Sequence, residues 1–202
     1  MTSLEERRET RRRQMLDAGI ALLGDPEAGA LGVRAVCRTT GITERYFYEA
    51  FSTRDGFAHA VYDDVLSRAQ DALVRGVREA AEGIPQGAAP DALAVAQGAV
   101  SGFVEFVVDQ PDIGRVLLLG PYREPVLAER GLAGMPGFFD VVAASLPDSV
   151  DAITRRLVAT GLVGALTTLF TEYIEGRLGV TREHLVDHCV RLVLTAPRRF
   201  RD

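Results

Sequence analysis

The sequence predicts an all-α fold of about nine helices. Apolar residues recur at helical spacing along most of the chain, and no useful stretch alternates with the period of a β-strand. Glycine and proline interrupt these periodic stretches where helices would be expected to end. The chain has 202 residues, 47% apolar and 25% charged, which is an ordinary globular composition and enough length to bury a sizeable core.

Four helices are predicted in the first 82 residues. In the first of them, Leu16, Ile20 and Leu23 form one apolar stripe, and the segment 24–29 (GDPEAG) ends the helix. Two short helices and one long helix are predicted next, at Val33–Thr39, from the cap residue Thr43 to Phe51, and from Asp55 to about Glu82.

The segment 83–91 (GIPQGAAPD) is the best candidate for a linker, because glycine and proline both disfavour helix interiors. Beyond it, helices are predicted at about 91–109, 112–119, 122–145, 148–176 and 182–196. Pro136 lies inside the third of these, among several glycines, and predicts a kink or break there.

The charge balance first argues against a nucleic-acid binder, since 28 acidic residues outnumber 23 basic residues and give a net charge of −5. The acidic excess is unevenly distributed, however. Residues 1–57 contain nine arginines and nine acids, whereas residues 58–202 contain 14 and 19. Residues 7–13 carry five arginines and one glutamate, a local charge of +4 that favours phosphate.

The sequence predicts a cytoplasmic protein without a membrane segment. Cys37 and Cys189 do not form a secreted-type disulfide framework, and the charged N-terminus lacks the apolar core of a signal peptide. The longest uncharged apolar stretch, Leu157–Phe170, has 14 residues, whereas a membrane span needs about 17–25.

The segment 33–57 (VRAVCRTTGITERYFYEAFSTRDGF) predicts a helix-turn-helix. Gly41 permits the positive φ of the turn, and Thr43 is a good N-cap for the second helix. An apolar core that locks the two helices together is predicted from Val36, Cys37, Ile42 and Phe47.

The second helix of this motif carries side chains suited to DNA. Arg45 can donate two hydrogen bonds to guanine, Glu44 can accept one from cytosine, and Tyr46 and Tyr48 can reach thymine methyl groups or phosphates. Arg34 and Arg54 are predicted to hold the DNA backbone, and the helix N-terminus itself favours phosphate. The alternative is an ordinary helical hairpin whose aromatic residues pack inward.

The relative positions of the aromatic residues bear on this alternative. Phe47 and Phe51 are four residues apart and are expected to pack inward. The run Tyr46-Phe47-Tyr48 cannot be buried on every side, so at least one tyrosine is expected to face outward.

The N-terminal segment resembles the TetR family of bacterial transcriptional regulators. The resemblance begins in residues 12–23 (RRQMLDAGIALL) and continues without a gap through 41–43 (GIT), 48–51 (YEAF) and 52–57 (STRDGF). It implies a helix-turn-helix DNA-binding domain at 1–54 and a helical effector-binding and dimerisation domain at 55–202. The DNA contacts that it implies come from Arg34, Thr43, Glu44, Arg45, Tyr46, Tyr48 and Arg54.

Three positions depart from the family's pattern. Gly19 stands where alanine is usual, Gly32 where a threonine cap is usual, and Ala50 where a phosphate-contacting histidine is common.

The resemblance also implies a homodimer in which the last two helices of each chain form a four-helix interface. Leu157–Phe170 is apolar almost all round, so it is expected to be buried inside its own fold or against a partner. Small residues on this helix and apolar residues on the last one are predicted to form the interface: Gly161, Gly164, Ala165, Val186, Cys189, Val190 and Val193.

Aromatic residues recur in the middle helices and predict a mostly apolar site for a small-molecule effector. The alternative for each of them is an ordinary place in the core. The predicted lining residues are Phe103, Phe106, Tyr122, Phe138, Phe139, Phe170 and Tyr173, and Arg115, Arg123 or Thr167 is expected to orient the ligand.

No cofactor, metal or catalytic set is predicted. His184 and His188 are four residues apart, but a closed structural zinc site generally needs four ligands, so surface or interface histidines are expected. Phosphate-binding and nucleophile motifs are missing from the sequence. The sequence therefore favours a repressor that a small apolar ligand releases from a pseudo-palindromic operator in double-stranded DNA. The alternatives are a helical ligand-binding or interaction module without specific DNA binding, and a small-molecule enzyme in the C-terminal half.

Overall fold

The computed structural model describes residues 4–28, 31–82, 92–144, 146 and 150–196, which form nine α-helices and no strand. This confirms the all-α prediction. The helices are α1 (Leu4–Gly24), α2 (Val33–Thr40), α3 (Glu44–Phe51), α4 (Arg54–Glu82), α5 (Ala92–Val107), α6 (Pro111–Arg123), α7 (Ala128–Ala144), α8 (Ala152–Ile174) and α9 (Arg182–Thr195), with a short 3₁₀ helix at Pro125–Leu127 between α6 and α7. The predicted linker 83–91 lies outside the described residues.

The prediction of one helix over 122–145 is wrong, and so is a break at Pro136, whereas a kink there stays a prediction. Helix α7 continues through Pro136, which lies on its exposed side, where water can bond to the carbonyl that proline leaves without a partner. The chain breaks instead before Pro125. Glu124 is extended there, with φ −116° and ψ 105°, as expected for a residue that precedes proline.

The described residues up to Ser67, together with Pro111–Leu132, form one compact unit, called unit 1 here. Helix α1 packs against α2 and α6, and buries Leu16 and Ile20 of its predicted stripe. The largest fully buried side chains of unit 1 are Met15, Val36, Phe47, Phe57, Val61, Val65, Val116 and Leu127.

Helices α1 and α4 approach closely at Gly19. A Cβ atom at this position would lie 2.5 Å from Cγ2 of Val61 and 2.7 Å from Cζ of Phe57, and both of these side chains are fully buried. The departure from alanine at Gly19 is explained by this contact, because Phe57 and Val61 occupy the space that a methyl group would need.

Pro121 lies inside α6 and has no N–H to donate to the carbonyl of Leu117. The hydroxyl of Tyr62 donates a 3.4 Å hydrogen bond to this carbonyl oxygen instead. Tyr62 is buried, and burial raises the pKa of its phenol to about 12. A tyrosine from α4 thus compensates for the proline in α6.

The described residues of Arg68–Gln110 and those from Ala133 onward form a second compact unit, unit 2. Within it, a Cβ atom on Gly76 of α4 or Gly98 of α5 would overlap the carbonyl oxygen of the other residue, so the two helix backbones are in direct contact. Helix α5 also packs against α9, and Arg182 donates two hydrogen bonds of 2.8 and 2.7 Å to the carboxylate of Asp109.

Helices α4 and α7 contribute residues to both units. The two units are defined by how the chain packs and do not test which part binds DNA or an effector. The functional division into 1–54 and 55–202 therefore stays a prediction.

Candidate nucleic-acid interface

Helices α2 and α3 are joined by the three-residue turn Gly41–Thr43. Gly41 has φ 70° and ψ 7°, and its N–H donates a 2.9 Å hydrogen bond to the carbonyl of Cys37. This left-handed conformation ends α2 at little cost only because the residue is glycine. The turn predicted from Gly41 is therefore present.

An aromatic cluster fixes α3 on the body of unit 1. Phe47 and Phe51 are buried, as predicted, and their ring centroids are 5.4 Å apart. Phe57 of α4 lies 5.0 Å from Phe47 and 4.8 Å from Phe51. The opposite face of α3 is thereby held in a defined orientation toward solvent.

The outward face of α3 carries both tyrosines of the motif. Tyr46 is 42% exposed and Tyr48 is 48% exposed, which confirms that at least one tyrosine faces outward. Thr43, Glu44 and Arg45 are also exposed. The Tyr48 ring is nearly perpendicular to the Phe47 ring, with 5.5 Å between their centroids, so the buried cluster also restrains this exposed ring.

Two exposed ion pairs hold the arginines of this surface. Arg34 of α2 lies 3.9 Å from Glu44, and Nε of Arg45 donates a 2.9 Å hydrogen bond to Glu49. Solvent-exposed pairs of this kind contribute about 0–1 kcal/mol. Either guanidinium can therefore be redirected to a phosphate or a base at small cost.

The N-terminus of α3 is open. Thr43 occupies the N-cap position with φ −73° and ψ 152°, as predicted, but its side chain makes no cap hydrogen bond among the described residues. The first N–H groups of α3 therefore remain available to an anion.

Arg54 differs from the other predicted DNA contacts because all of its guanidinium nitrogens have partners within unit 1. Nε donates to the carbonyl of Leu31 at 2.9 Å, Nη1 to Asp55 at 3.2 Å and Nη2 to Glu124 at 2.7 Å. In this structure Arg54 therefore connects the start of α4 to the segments around Leu31 and Glu124.

Arginines of α1 that were not predicted as site residues lie beside α3. The guanidinium of Arg11 lies 4.1 Å from the ring centroid of Tyr46, and Nη1 of Arg12 donates to the carbonyl of Ala50 at 3.4 Å. The local charge of +4 at residues 7–13 was the signal for this surface, but it did not reveal that α1 lies against α3. Together these residues border a groove of about 400 Å³ that is lined by Arg8, Glu9, Arg11, Arg12, Met15, Tyr46, Glu49 and Ala50.

The predicted effector residues are only partly brought together. In unit 2, Phe103 lies 5.8 Å from Phe138 and 5.4 Å from Phe170 between ring centroids, so α5, α7 and α8 contribute one ring each to a cluster. Phe106, Phe138 and Phe170 are buried, whereas Phe103 and three further predicted lining residues are half-buried: Phe139, Thr167 and Tyr173.

Three predicted effector contacts lie outside unit 2, so they are not brought together with the aromatic cluster within one unit. Arg115, Tyr122 and Arg123 belong to unit 1, and Tyr122 is 84% exposed, so its ring lines no enclosed site within that unit. Arg115 donates to the carbonyl of Gly24 at 3.5 Å and lies 3.6 Å from Asp112, which gives it a structural role between α6 and α1.

The α8 face predicted to contact a partner is exposed. Gly161, Gly164 and Ala165 all lie at the surface, and a Cβ atom on either glycine would meet nothing within 4 Å. Leu157, on the same stretch, is 67% exposed. The stretch Leu157–Phe170 is therefore only partly buried within the chain, where Val158, Leu162 and Phe170 are buried, and its burial against a partner stays a prediction.

The α9 part of the predicted interface needs revision. Cys189 and Val190 are buried within the chain, because α9 packs against α5, and burial raises the pKa of the Cys189 thiol to about 11. Val186 and Val193 are half-buried and still offer surface. Cys189 and Val190 therefore belong to the core of unit 2.

Two further observations concern metals and membranes. The described residues contain no group of three or more histidine, cysteine or acidic side chains placed to hold a metal ion. Helix α8 is long and apolar enough to cross a membrane by length and composition, with 28% of its most apolar window buried in the chain. One such helix is weak evidence of a membrane span, because the core helix of a water-soluble protein passes the same test.

No protein-family model matches the sequence, and no curated protein matches it. In three dimensions, the chain is similar to a TetR-like transcriptional regulator from a Rhodococcus species, with a TM-score of 0.66 and 21% identity over 94% of each chain. It is also similar to the fatty acid degradation regulator FadR from Bacillus halodurans, with a TM-score of 0.73 and 14% identity over 91% of this chain and 94% of FadR.

A third similar structure is the multidrug binding protein EbrR in complex with imidazole, with a TM-score of 0.58 and 19% identity over 90% of this chain and 94% of EbrR. At these identities the likeness concerns the fold. The chain thus has the fold of the TetR-like transcriptional regulators.

Proposed function

We propose that this chain is a DNA-binding transcriptional regulator of the TetR type, acting in the cytoplasm on a pseudo-palindromic operator. The observation that carries the proposal is the outward face of α3. Arg45, Tyr46 and Tyr48 project from a helix whose other face is held by the buried Phe47, Phe51 and Phe57 cluster. A rigid helix that presents an arginine and two tyrosines is suited to reading base edges in a major groove.

The proposed regulator acts as a homodimer through α8 and α9. An exposed apolar residue at Leu157, with open space over Gly161 and Gly164, leaves a surface that a second helix can approach closely. A two-fold dimer would separate its recognition helices by about one DNA turn, roughly 34–36 Å. A palindromic operator follows from that symmetry.

The proposed effector is a small, mostly apolar molecule that binds in unit 2 beside Phe103, Phe138 and Phe170. Phe103 is half-buried while its two ring neighbours are buried, so it is the member of the cluster that an apolar ligand can reach. Such a ligand releases DNA only through a higher affinity for the form of the dimer that cannot bind DNA. In this scheme the protein is a repressor.

DNA binding is tested by selection and then by affinity. Sheared genomic DNA from the source organism is passed over the purified protein, and the recovered duplex is compared by fluorescence anisotropy with a shuffled duplex of the same composition. We expect the recovered duplex to bind at least about 10³-fold more tightly. Equal affinity for the two duplexes would overturn the proposal and favour a helical ligand-binding or interaction module.

The role of α3 is tested with Arg45→Gln, which removes the charge of an exposed side chain. We expect specific binding to weaken by about 1–3 kcal/mol while binding to the shuffled duplex changes little. Arg75→Gln is the matched control because Arg75 is an exposed arginine on the unit 2 part of α4. If both variants lose the same affinity, Arg45 does not read the operator.

The effector site is tested with Phe103→Trp, which creates a single tryptophan in a chain that has none. With 8-anilinonaphthalene-1-sulfonate as the probe, we expect saturable quenching of this tryptophan at one probe per chain. Leu93→Trp, at an exposed position of α5, is the control and should respond weakly. An equal response of the two variants would place probe binding elsewhere.

A further inference from the structure

The groove between α1 and α3 contains three arginines of one helix face, called the α1 arginine row here: Arg8, Arg11 and Arg12. They are spaced at i, i+3 and i+4, which places them on one side of α1. Arg13, the next residue, is already paired with Asp17 and Asp64 at 2.7 and 2.5 Å and does not line the groove. The row is therefore a distinct part of the basic N-terminal segment.

Each member of the row has a different setting. Arg12 is anchored by the carbonyl of Ala50 at 3.4 Å and by the ring of Phe51, 4.8 Å from its guanidinium carbon. Arg11 lies over the ring of Tyr46 at 4.1 Å and donates from Nε to the carbonyl of Arg7 at 3.2 Å. Arg8 is exposed.

The groove also contains two carboxylates, those of Glu9 and Glu49. Glu49 already accepts the 2.9 Å hydrogen bond from Arg45. Glu9 is therefore the one other acidic side chain that lines the groove with the three arginines. The net charge of the groove is therefore positive. The guanidinium of Arg11 lies over the ring of Tyr46 and so places part of this charge beside the outward face of α3.

The geometry points to a second DNA contact surface: Arg8 and Arg11 bind the phosphate backbone that flanks the bases facing α3. This rests on the proposed function and adds two residues that neither the motif nor the family resemblance implies. Arg11 stacks on the ring of Tyr46, so the phosphate contact and the recognition helix are connected side chain to side chain. The flat guanidinium group is suited to both partners at once, because its face stacks on the ring while its edge donates to phosphate oxygens.

Two duplexes and three variants test the inference. One duplex is the recovered operator trimmed to its half-sites, and the other extends it by about ten base pairs at each end. Arg8→Gln combined with Arg11→Gln removes the two proposed contacts. Arg7→Gln is the matched control, since Arg7 is exposed, belongs to the same helix and does not line the groove. Arg45→Gln reports on the recognition helix.

We expect the wild-type chain to bind the extended duplex more tightly than the trimmed one, and the double variant to lose that gain. The slope of log affinity against log salt should fall by about two in the double variant. Raising the salt from 50 to 200 mM should therefore weaken the wild-type chain about tenfold more than the double variant. Arg7→Gln should retain the gain from the longer duplex.

The outcomes separate the two proposals. In one outcome, the double variant keeps the wild-type salt slope and still binds the extended duplex more tightly than the trimmed one, while Arg45→Gln loses specificity. This outcome would overturn the proposed α1 contact and leave the proposed function standing. If Arg7→Gln lowers the slope of log affinity against log salt by half as much as the double variant does, the effect is general electrostatics and the groove is not a site. If the wild-type chain does not prefer the operator to a shuffled duplex, the proposed function itself fails.

Discussion

Arg54 at the start of α4 donates a 2.7 Å hydrogen bond to Glu124, which lies 70 residues further along the chain. The Glu124 side chain is 13% exposed and that of Arg54 is 32% exposed, so the pair is partly shielded from water. The same guanidinium also holds the carbonyl of Leu31, just before α2. Arg54 thus joins the helix-turn-helix to the segment after α6 within unit 1.

Glu124→Gln is expected to lower stability and to raise DNA affinity. Loss of the charge weakens a partly buried, charge-assisted hydrogen bond, so the free energy of unfolding should fall by about 1–2 kcal/mol in a denaturant titration. The freed Arg54 can then contact phosphate, and operator binding should tighten a few-fold by anisotropy.

Asp55→Asn is the control for this prediction, because Asp55 is the more exposed acidic partner of the same arginine. Its removal should change stability by less than about 0.5 kcal/mol. Weaker DNA binding by Glu124→Gln would show that Arg54 serves DNA binding only through its link to Glu124.

Gly19→Ala is expected to destabilise the protein by about 1–3 kcal/mol, although alanine is the better helix former. The added methyl group would lie 2.5 Å from Cγ2 of Val61 and 2.7 Å from Cζ of Phe57. Gly179→Ala is the control, because nothing lies within 4 Å of a Cβ atom there.

A double-mutant cycle makes this prediction specific to the contact. Val61→Ala removes the methyl group that Gly19→Ala meets, so the double variant should lose less stability than the sum of the two single losses. Strict additivity would mean that the packing at Gly19 is not the cause.

Leu157→Glu is expected to convert the proposed dimer into monomers. A charged side chain cannot be buried against a partner without a large desolvation cost, whereas Leu157 is 67% exposed in the single chain. Light scattering after size exclusion gives the mass, and circular dichroism should remain unchanged. Leu132→Glu is the matched control: Leu132 is 76% exposed and lies on α7, so that variant should stay dimeric.

Tyr62 is expected to titrate at about pH 12, above the ordinary value of 10.0 for a phenol. Because burial favours its neutral form, the contribution of Tyr62 to stability is fully present below pH 10 and is lost as the pH rises through about 12. Absorbance at 295 nm should show this late titration in the wild-type chain and not in Tyr62→Phe. Tyr122→Phe, at a highly exposed position, should retain it.

Much of the helix-turn-helix followed from local pattern. The order Tyr46-Phe47-Tyr48 on one helical turn places the tyrosines and the phenylalanine on different faces, and Phe51 shares the face of Phe47. Gly41 similarly marks the turn, because the residue type carries the required conformation. Such features depend on residues within a few positions of one another, so they can be predicted from the sequence.

The remaining assignments depended on which helices pack together. Periodicity marks α9 as apolar on one side but does not say whether that side meets α5 or a second chain, and the packing against α5 places Cys189 and Val190 in the core. The partner of Arg54 is a glutamate 70 residues away, and the partner of Arg11 is a tyrosine on another helix. Helices, turns and apolar faces follow from short-range periodicity and capping, whereas the pairing of distant side chains depends on how the whole chain fills its core.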